Sequence, residues 1–151
     1  MAEATFRVVL ERILPAPPAD VFRAWTEPER LRVFMCPGTT ISATVEADAR
    51  VGGRFRIVMH DGDGDYEHTG EYRVVDPPHR LVFTWHSPIT GPRGSLVTIT
   101  FSPHAKGTRL VLTHEQLPSD DVAGKHQRGW TSILEKLEGH LPRFTHAKED
   151  A

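Results

Sequence analysis

The stretch SDDVAGKHQRGWTSILEKLEGHL, residues 119–141, decides the fold. Trp130, Ile133, Leu134, Leu137 and Leu141 recur at helical spacing and make one apolar stripe. Ser119 is placed to cap the helix, and Asp120 and Asp121 stand in its first turn, where the helix dipole favours acids. Pro142 is expected to end it. A helix of about 22 residues is ~33 Å long. Such a rod must bury its stripe against something equally long.

The rest of the chain supplies the partner. Phe6 to Leu14 alternates loosely and reads as a strand, stopped by Pro15, Pro17 and Pro18. Residues 18–25 read as a short helix with proline in its first turn. Thr26 and Glu29 have capping-box spacing, so a second short helix is expected to start there and to end at Pro37-Gly38. From Ile41 onward the period changes from 3.6 to 2. Phe55, Ile57 and Met59 form one apolar set. Tyr72 and Val74, then Leu81, Phe83 and Trp85, then Val97, Ile99 and Phe101, then Leu110, Leu112 and His114 continue it. The connections are short turns: residues 61–65, residues 76–78 and Lys106-Gly107. One apolar face per strand and short connections predict an antiparallel meander with one buried side. The fold class is α+β: a curved antiparallel sheet wrapped around a long C-terminal helix, in the order β-α-α-β(6)-α.

Size and composition set the outer bounds. The 151 residues show no composition break, so a single domain is expected over residues 1–151, with 143–151 as a flexible tail. Hydrophobic residues make up 38% and charged residues 25%, enough apolar surface for a core without staples. The net charge is -2 and no polybasic run occurs, which argues against nucleic acid as a partner. The single cysteine, Cys36, cannot form an internal disulfide, and a cytoplasmic location is expected. No run of 18 apolar residues suggests a membrane span.

Motifs for chemistry are sparse. Asp61, Asp63 and Asp65 have the spacing that opens a calcium loop, but tyrosine occupies both positions, 66 and 72, where such a loop needs glycine and glutamate. They read instead as turn residues at a hairpin tip. The nine histidines include no HExxH pair and no helical pair at i, i+4, so no metal and no other cofactor is expected. No GxSxG elbow or phosphate loop is present. The inner face is more informative. It collects Tyr72, Trp85 and His114, and the helix brings His126 and Trp130 to meet them. Two readings stand side by side: these polar groups satisfy one another inside a core, or they converge on an apolar pocket. Gly129 leaves room beside Trp130 for a ligand or for close sheet contact.

Several local patterns share a familiar order. Ala16-Pro17-Pro18 precedes Val21-Phe22-x-Ala24-Trp25-Thr26. Then come Asp48-x-Arg50-x-Gly52-Gly53-x-Phe55 and Gly70-x-Tyr72-x-Val74-Val75-x-Pro77-Pro78-x-Arg80-Leu81-Val82-Phe83-Thr84-Trp85. Gly107-Thr108-Arg109-Leu110, His114-Glu115 and Gly129-Trp130 close the series. Over residues 6–142 the chain resembles the activator of heat-shock protein 90 ATPase homologue family, within the START-like (SRPBCC) helix-grip superfamily. The resemblance implies a cavity between sheet and C-terminal helix. Superfamily members bind lipids, sterols, hormones or polyketides, and some are cyclases or other enzymes. Eukaryotic namesakes stimulate the chaperone through an additional N-terminal domain, and this chain is similar to their C-terminal part. Phe34 departs from the pattern, since many relatives carry Trp there.

The leading expectation is a START-like domain that holds a small hydrophobic or aromatic molecule. The wall would be Phe34, Met35, Met59, Tyr72, Phe83, Trp85, Ile99, Leu112, His114, His126, Trp130 and Leu134. No residue is assigned a catalytic role. A module that contacts a chaperone is the alternative, and a cyclase- or hydrolase-like enzyme using His114 or His126 as base is a third. A monomer or weak homodimer is expected.

Overall fold

β1 (Phe6–Leu14) opens the chain and is followed by two short helices, α1 (Pro18–Ala24) and α2 (Pro28–Phe34). Six strands follow: β2 (Ser42–Ala47), β3 (Arg54–Asp61), β4 (Gly64–Asp76), β5 (Arg80–Trp85), β6 (Ser95–His104) and β7 (Gly107–Leu117). α3 (Asp120–Glu149) closes the fold. The computed structural model describes residues 6–149, with side chains as far as Leu141. The element order is the expected β-α-α-β(6)-α, in one seven-stranded antiparallel sheet ordered β1-β7-β6-β5-β4-β3-β2. Only β1 is out of sequence. It pairs with β7, so the first and last strands lie side by side.

The alternation works as expected along most strands. Val97, Ile99 and Phe101 of β6 and Leu110, Leu112 and His114 of β7 are all at most 2% exposed. The outward residues pair across strands instead: Arg56 Nε donates to Glu67 at 2.6 Å, and Arg109 grips both carboxylate oxygens of Glu11. α3 lays its stripe on the inner face, and Trp130, Ile133, Leu134, Leu137 and Leu141 are all buried. Ser119 caps it as expected, its Oγ accepting from Val122 N at 3.1 Å.

Four local readings need correction. The capping box does not form. Pro28 presets the first helical turn of α2, which moves the cap to Glu27, and Thr26 Oγ1 turns back to the carbonyls of Phe22 and Arg23. α2 also ends earlier, at Phe34. The residue before a proline is disfavoured in the helical region, so Cys36 before Pro37 cannot prolong it. The inner face of β4 passes from Tyr72 to Val75, not Val74. Tyr72 pairs with Phe83 but Val74 with Val82, and the irregularity between them reverses the alternation. Finally, Pro142 does not end α3, which runs on to Glu149. A proline removes one helical bond and bends a helix, but it does not always end one. Asp150 and Ala151 lie outside the described residues.

A candidate ligand pocket beside Trp130

The space between helix and sheet is filled at one end and open at the other. α1 and α2 fill the first end. Trp25 packs edge-on against Phe34 at 5.2 Å and, tilted, against Trp130 at 6.1 Å between ring centroids. Phe34, Met35, Tyr72, Phe83, Ile99, Leu112 and Leu134 are all core residues here, none more than 4% exposed. Met35, Tyr72 and Phe83 border only a void of about 10 Å³, together with Trp25 and Trp85. The buried indole N–H groups of Trp25 and Trp85 meet no acceptor among the described residues.

At the other end lies a pocket of about 300 Å³. Its floor is Met59, Trp85 and Trp130, and its helix side is Lys125, His126, Gly129 and Ile133. The tip of the β3–β4 hairpin adds Tyr66 and His68, and the loop after β5 adds Ser87, Pro88 and Ile89. Pro37 and Thr40 complete the rim. That rim is tied to α3: Gly38 N donates to Ser132 Oγ at 2.8 Å, and Lys136 Nζ donates to the Cys36 carbonyl. The Ser87 loop is held by Thr90, whose Oγ1 accepts from Ser87 N at 2.9 Å. Of the twelve wall residues read from the sequence, Met59, Trp85, His126 and Trp130 line this pocket. His68, Tyr66 and the Ser87–Ile89 loop were missed. No sequence period marks them: Tyr66 stands near the start of a strand, Ile89 sits in a loop, and in the structure both are partly exposed, at 40% and 41%.

His114 lies behind the pocket, fully buried, and its hydrogen bonds fix its proton. Trp130 Nε1–H can only donate, and it meets His114 Nδ1 at 2.8 Å, so Nδ1 is bare. Nε2 therefore carries the proton of the neutral ring and donates to Ser95 Oγ at 2.6 Å. Ser95 in turn donates to the Trp85 carbonyl at 2.8 Å. Every polar atom in this run of hydrogen bonds, from Trp130 Nε1 to the Trp85 carbonyl, has a partner, and neither nitrogen of His114 faces the pocket. Burial, with His126 beside it, pushes the His114 pKa down to about 3. This geometry holds the two pocket tryptophans in place, and it leaves His114 no lone pair with which to act as a base.

His126 differs. Its Nδ1 donates to the Val122 carbonyl one turn back at 2.9 Å, which leaves Nε2 on the pocket side, 3.4 Å from Ser87 Oγ. Its ring stands edge-on to His114 at 4.7 Å, and burial lowers its pKa. His68 packs on Trp85 at 5.0 Å, and burial takes its pKa to about 4. The site is thus apolar and uncharged at neutral pH, apart from Lys125 at the rim, which pairs with Asp121 at 3.3 Å.

Other groups offer less. A larger hollow of about 570 Å³ lies on the outer face, among Arg54, Arg56, Arg73, Glu46 and Glu71. Its arginines include ion-paired ones, Arg56 with Glu67 and Arg73 with Glu71, and its walls are solvated. Asp61, Asp63 and Asp65 each bond to a neighbour at the hairpin tip: Gly62 N, the Tyr66 hydroxyl and His60 Nδ1. Among the described residues no group of three His, Cys, Asp or Glu is arranged to hold a metal. Cys36 is buried, and burial raises its thiol pKa. No described helix is long and apolar enough to cross a membrane.

Residues 15–142 match the family described as Activator of Hsp90 ATPase homolog 1-like protein. The chain belongs to that family. Solved structures of similar proteins share the helix-grip architecture of this Activator of Hsp90 ATPase homolog 1-like chain. Protein CV1439 from Chromobacterium violaceum is 26% identical, with a TM-score of 0.79 over 89% of this chain and 96% of that one. An uncharacterised protein from Rhizobium leguminosarum is 31% identical, with a TM-score of 0.77 over 93% and 96%. The AHSA1 protein SPO3351 from Silicibacter pomeroyi is 27% identical, with a TM-score of 0.74 over 91% and 98%. No functionally curated protein matches the chain.

Proposed function

We propose that this protein binds a small, largely apolar aromatic molecule in the pocket between α3 and the hairpin tip. The observation that carries the reading is Gly129. A glycine in a helix interior costs about 1 kcal/mol against alanine. Here it stands on the pocket wall beside Trp130, and a Cβ built on it would meet nothing within 4 Å. The helix gives up stability at that point, and what it gains is open space next to two indoles. A pocket of about 300 Å³ is at the small end of ligand sites. Trp85 and Trp130, 4.9 Å apart, offer aromatic surface at its floor.

Gly129→Leu separates a binding pocket from an incidental hollow. Leucine is a good helix former and its side chain would occupy the space, so the variant should be as stable as the parent or more so. Its affinity for aromatic ligands should fall at least about tenfold, the effect of losing roughly 1.4 kcal/mol of contact. Tryptophan fluorescence titration with a library of one- and two-ring aromatics, beside thermal melts, reads both. Undiminished affinity in Gly129→Leu, or no binder for the wild type, would remove the proposal. Contact with a chaperone rests on family membership alone. Co-precipitation that survives in Gly129→Leu would place such contact elsewhere on the surface.

A further inference from the structure

We infer that the ligand of this pocket is an uncharged molecule carrying a hydroxyl group, and that the hydroxyl bridges Ser87 and His126. The inference rests on the pocket reading above and names the polar end of its occupant.

The argument is an inventory of protons. The Val122 carbonyl can only accept, so His126 Nδ1, 2.9 Å away, must carry hydrogen. In the neutral ring Nε2 is then a bare acceptor. Ser87 Oγ lies opposite it at 3.4 Å, the far limit of a hydrogen bond, while also accepting from Ile89 N at 3.3 Å. The serine lone pairs are thus partly engaged, and its O–H is the group left to offer. Where α3 meets the loop after β5, an acceptor, His126 Nε2, and a donor, Ser87 O–H, stand a short step apart and poorly matched to each other. A ligand that satisfies both must accept from one and donate to the other at a single atom.

A hydroxyl does that. An ether, ketone or carboxylate can only accept, so it would meet Ser87 and leave His126 Nε2 facing another lone pair. A carboxylate would in addition be desolvated beside Trp85 and Trp130, and Lys125, the nearest cation, is already paired with Asp121. An ammonium can donate to His126 but has nothing with which to accept from Ser87, and no carboxylate lines the pocket to balance its charge. A bare hydrocarbon fits the floor and leaves the two polar groups with only their long contact of 3.4 Å to each other. Sites built to bond a hydroxyl discriminate strongly against analogues that lack it, because their own groups are then left unpaired.

Four probes with one two-ring skeleton test this: naphthalene, 2-naphthol, 2-methoxynaphthalene and 2-naphthoate. They are titrated at neutral pH into wild type, His126→Phe and Ser87→Ala, with amide NMR spectra verifying that each variant is folded. Two modest hydrogen bonds predict that the wild type binds 2-naphthol about tenfold tighter than naphthalene or the methyl ether, with naphthoate weaker still. In His126→Phe the preference for naphthol over naphthalene should vanish while naphthalene itself still binds. Ser87→Ala should reduce that preference by a smaller factor. Should naphthalene, the ether or naphthoate bind wild type as tightly as naphthol, the hydroxyl assignment is wrong and the pocket reading survives. If the preference persists in His126→Phe, the bridge is wrong. If none of the four binds, the pocket reading fails and takes this inference with it.

Discussion

Trp130→Ala should lower the free energy of unfolding by ~3–5 kcal/mol, the range for removing a buried large aromatic. The side chain is 1% exposed and touches Trp85 at 4.9 Å, His114 at 5.9 Å and Trp25 at 6.1 Å between ring centroids. No neighbour can close that space without moving the helix off the sheet. The loss is more than volume. Among the described residues Trp130 Nε1 is the donor that His114 Nδ1 meets, and an unpaired buried acceptor costs about 1–3 kcal/mol. Trp130→Phe separates the two effects. It keeps most of the apolar contact and removes the donor, so it should cost less than alanine but more than a pure change of ring size. Urea unfolding followed by circular dichroism gives both numbers. A loss below about 1 kcal/mol for alanine would mean that the α3 stripe contributes no more than an ordinary surface site. That result would undo the fold as argued above and the pocket with it, because Trp130 is the floor of one and the centre of the other.

The parts of this molecule that obey a simple period could be read before any coordinates. Trp130, Ile133, Leu134, Leu137 and Leu141 repeat at helical spacing and are buried. Leu110, Leu112 and His114 alternate and are buried. Wherever the chain leaves its period, the reading slips. The irregularity after Tyr72 exchanges Val74 for Val75 on the inner face. In β7, Gln116 adopts φ 65, and the ladder with β1 shifts so that Leu117 returns to the inside three residues after His114. Neither position carries a glycine to announce the break. The pocket was half legible for a related reason. Alternation says which face a side chain is on, but not whether another side chain covers it. Phe34 and Met35 lie on the expected side, yet α1 and α2 bring Trp25 and Leu31 against them and close that end. The open end depends on the Ser87–Ile89 loop, which has no period at all. His114 shows the limit from the other direction. Its inward placement was readable. That all its bonds are used inside the core depends on Ser95, nineteen positions away in sequence and one strand over.

The buried histidines in and behind the pocket should make the protein markedly sensitive to acid. His114 is held neutral by burial, with a pKa near 3, and His68 likewise, near 4, against an ordinary value of 6.5. The native state therefore refuses protons that the unfolded chain accepts. Stability is fully present above about 6.5 and is lost as pH falls from there toward the folded values. Each such histidine removes about 1.4 kcal/mol per pH unit across that window, so the pair removes about 3 kcal/mol per unit until the pH reaches about 4. His126, lowered in the same direction, adds to the slope. The exposed carboxylate pairs, such as Glu11 with Arg109, lie at the surface and contribute little in comparison. Urea unfolding at a series of pH values measures the slope, and it should correspond to the uptake of at least about two protons on unfolding. His68→Gln should flatten the slope by about one proton. The amide can still donate to the Tyr66 carbonyl that His68 Nδ1 contacts at 3.1 Å, so this variant tests titration apart from packing. A profile that stays flat through this window would require both His68 and His114 to take protons while folded. A protonated Nδ1 would confront the Trp130 N–H directly, so a flat profile could arise only if that bond opened and α3 shifted on the sheet.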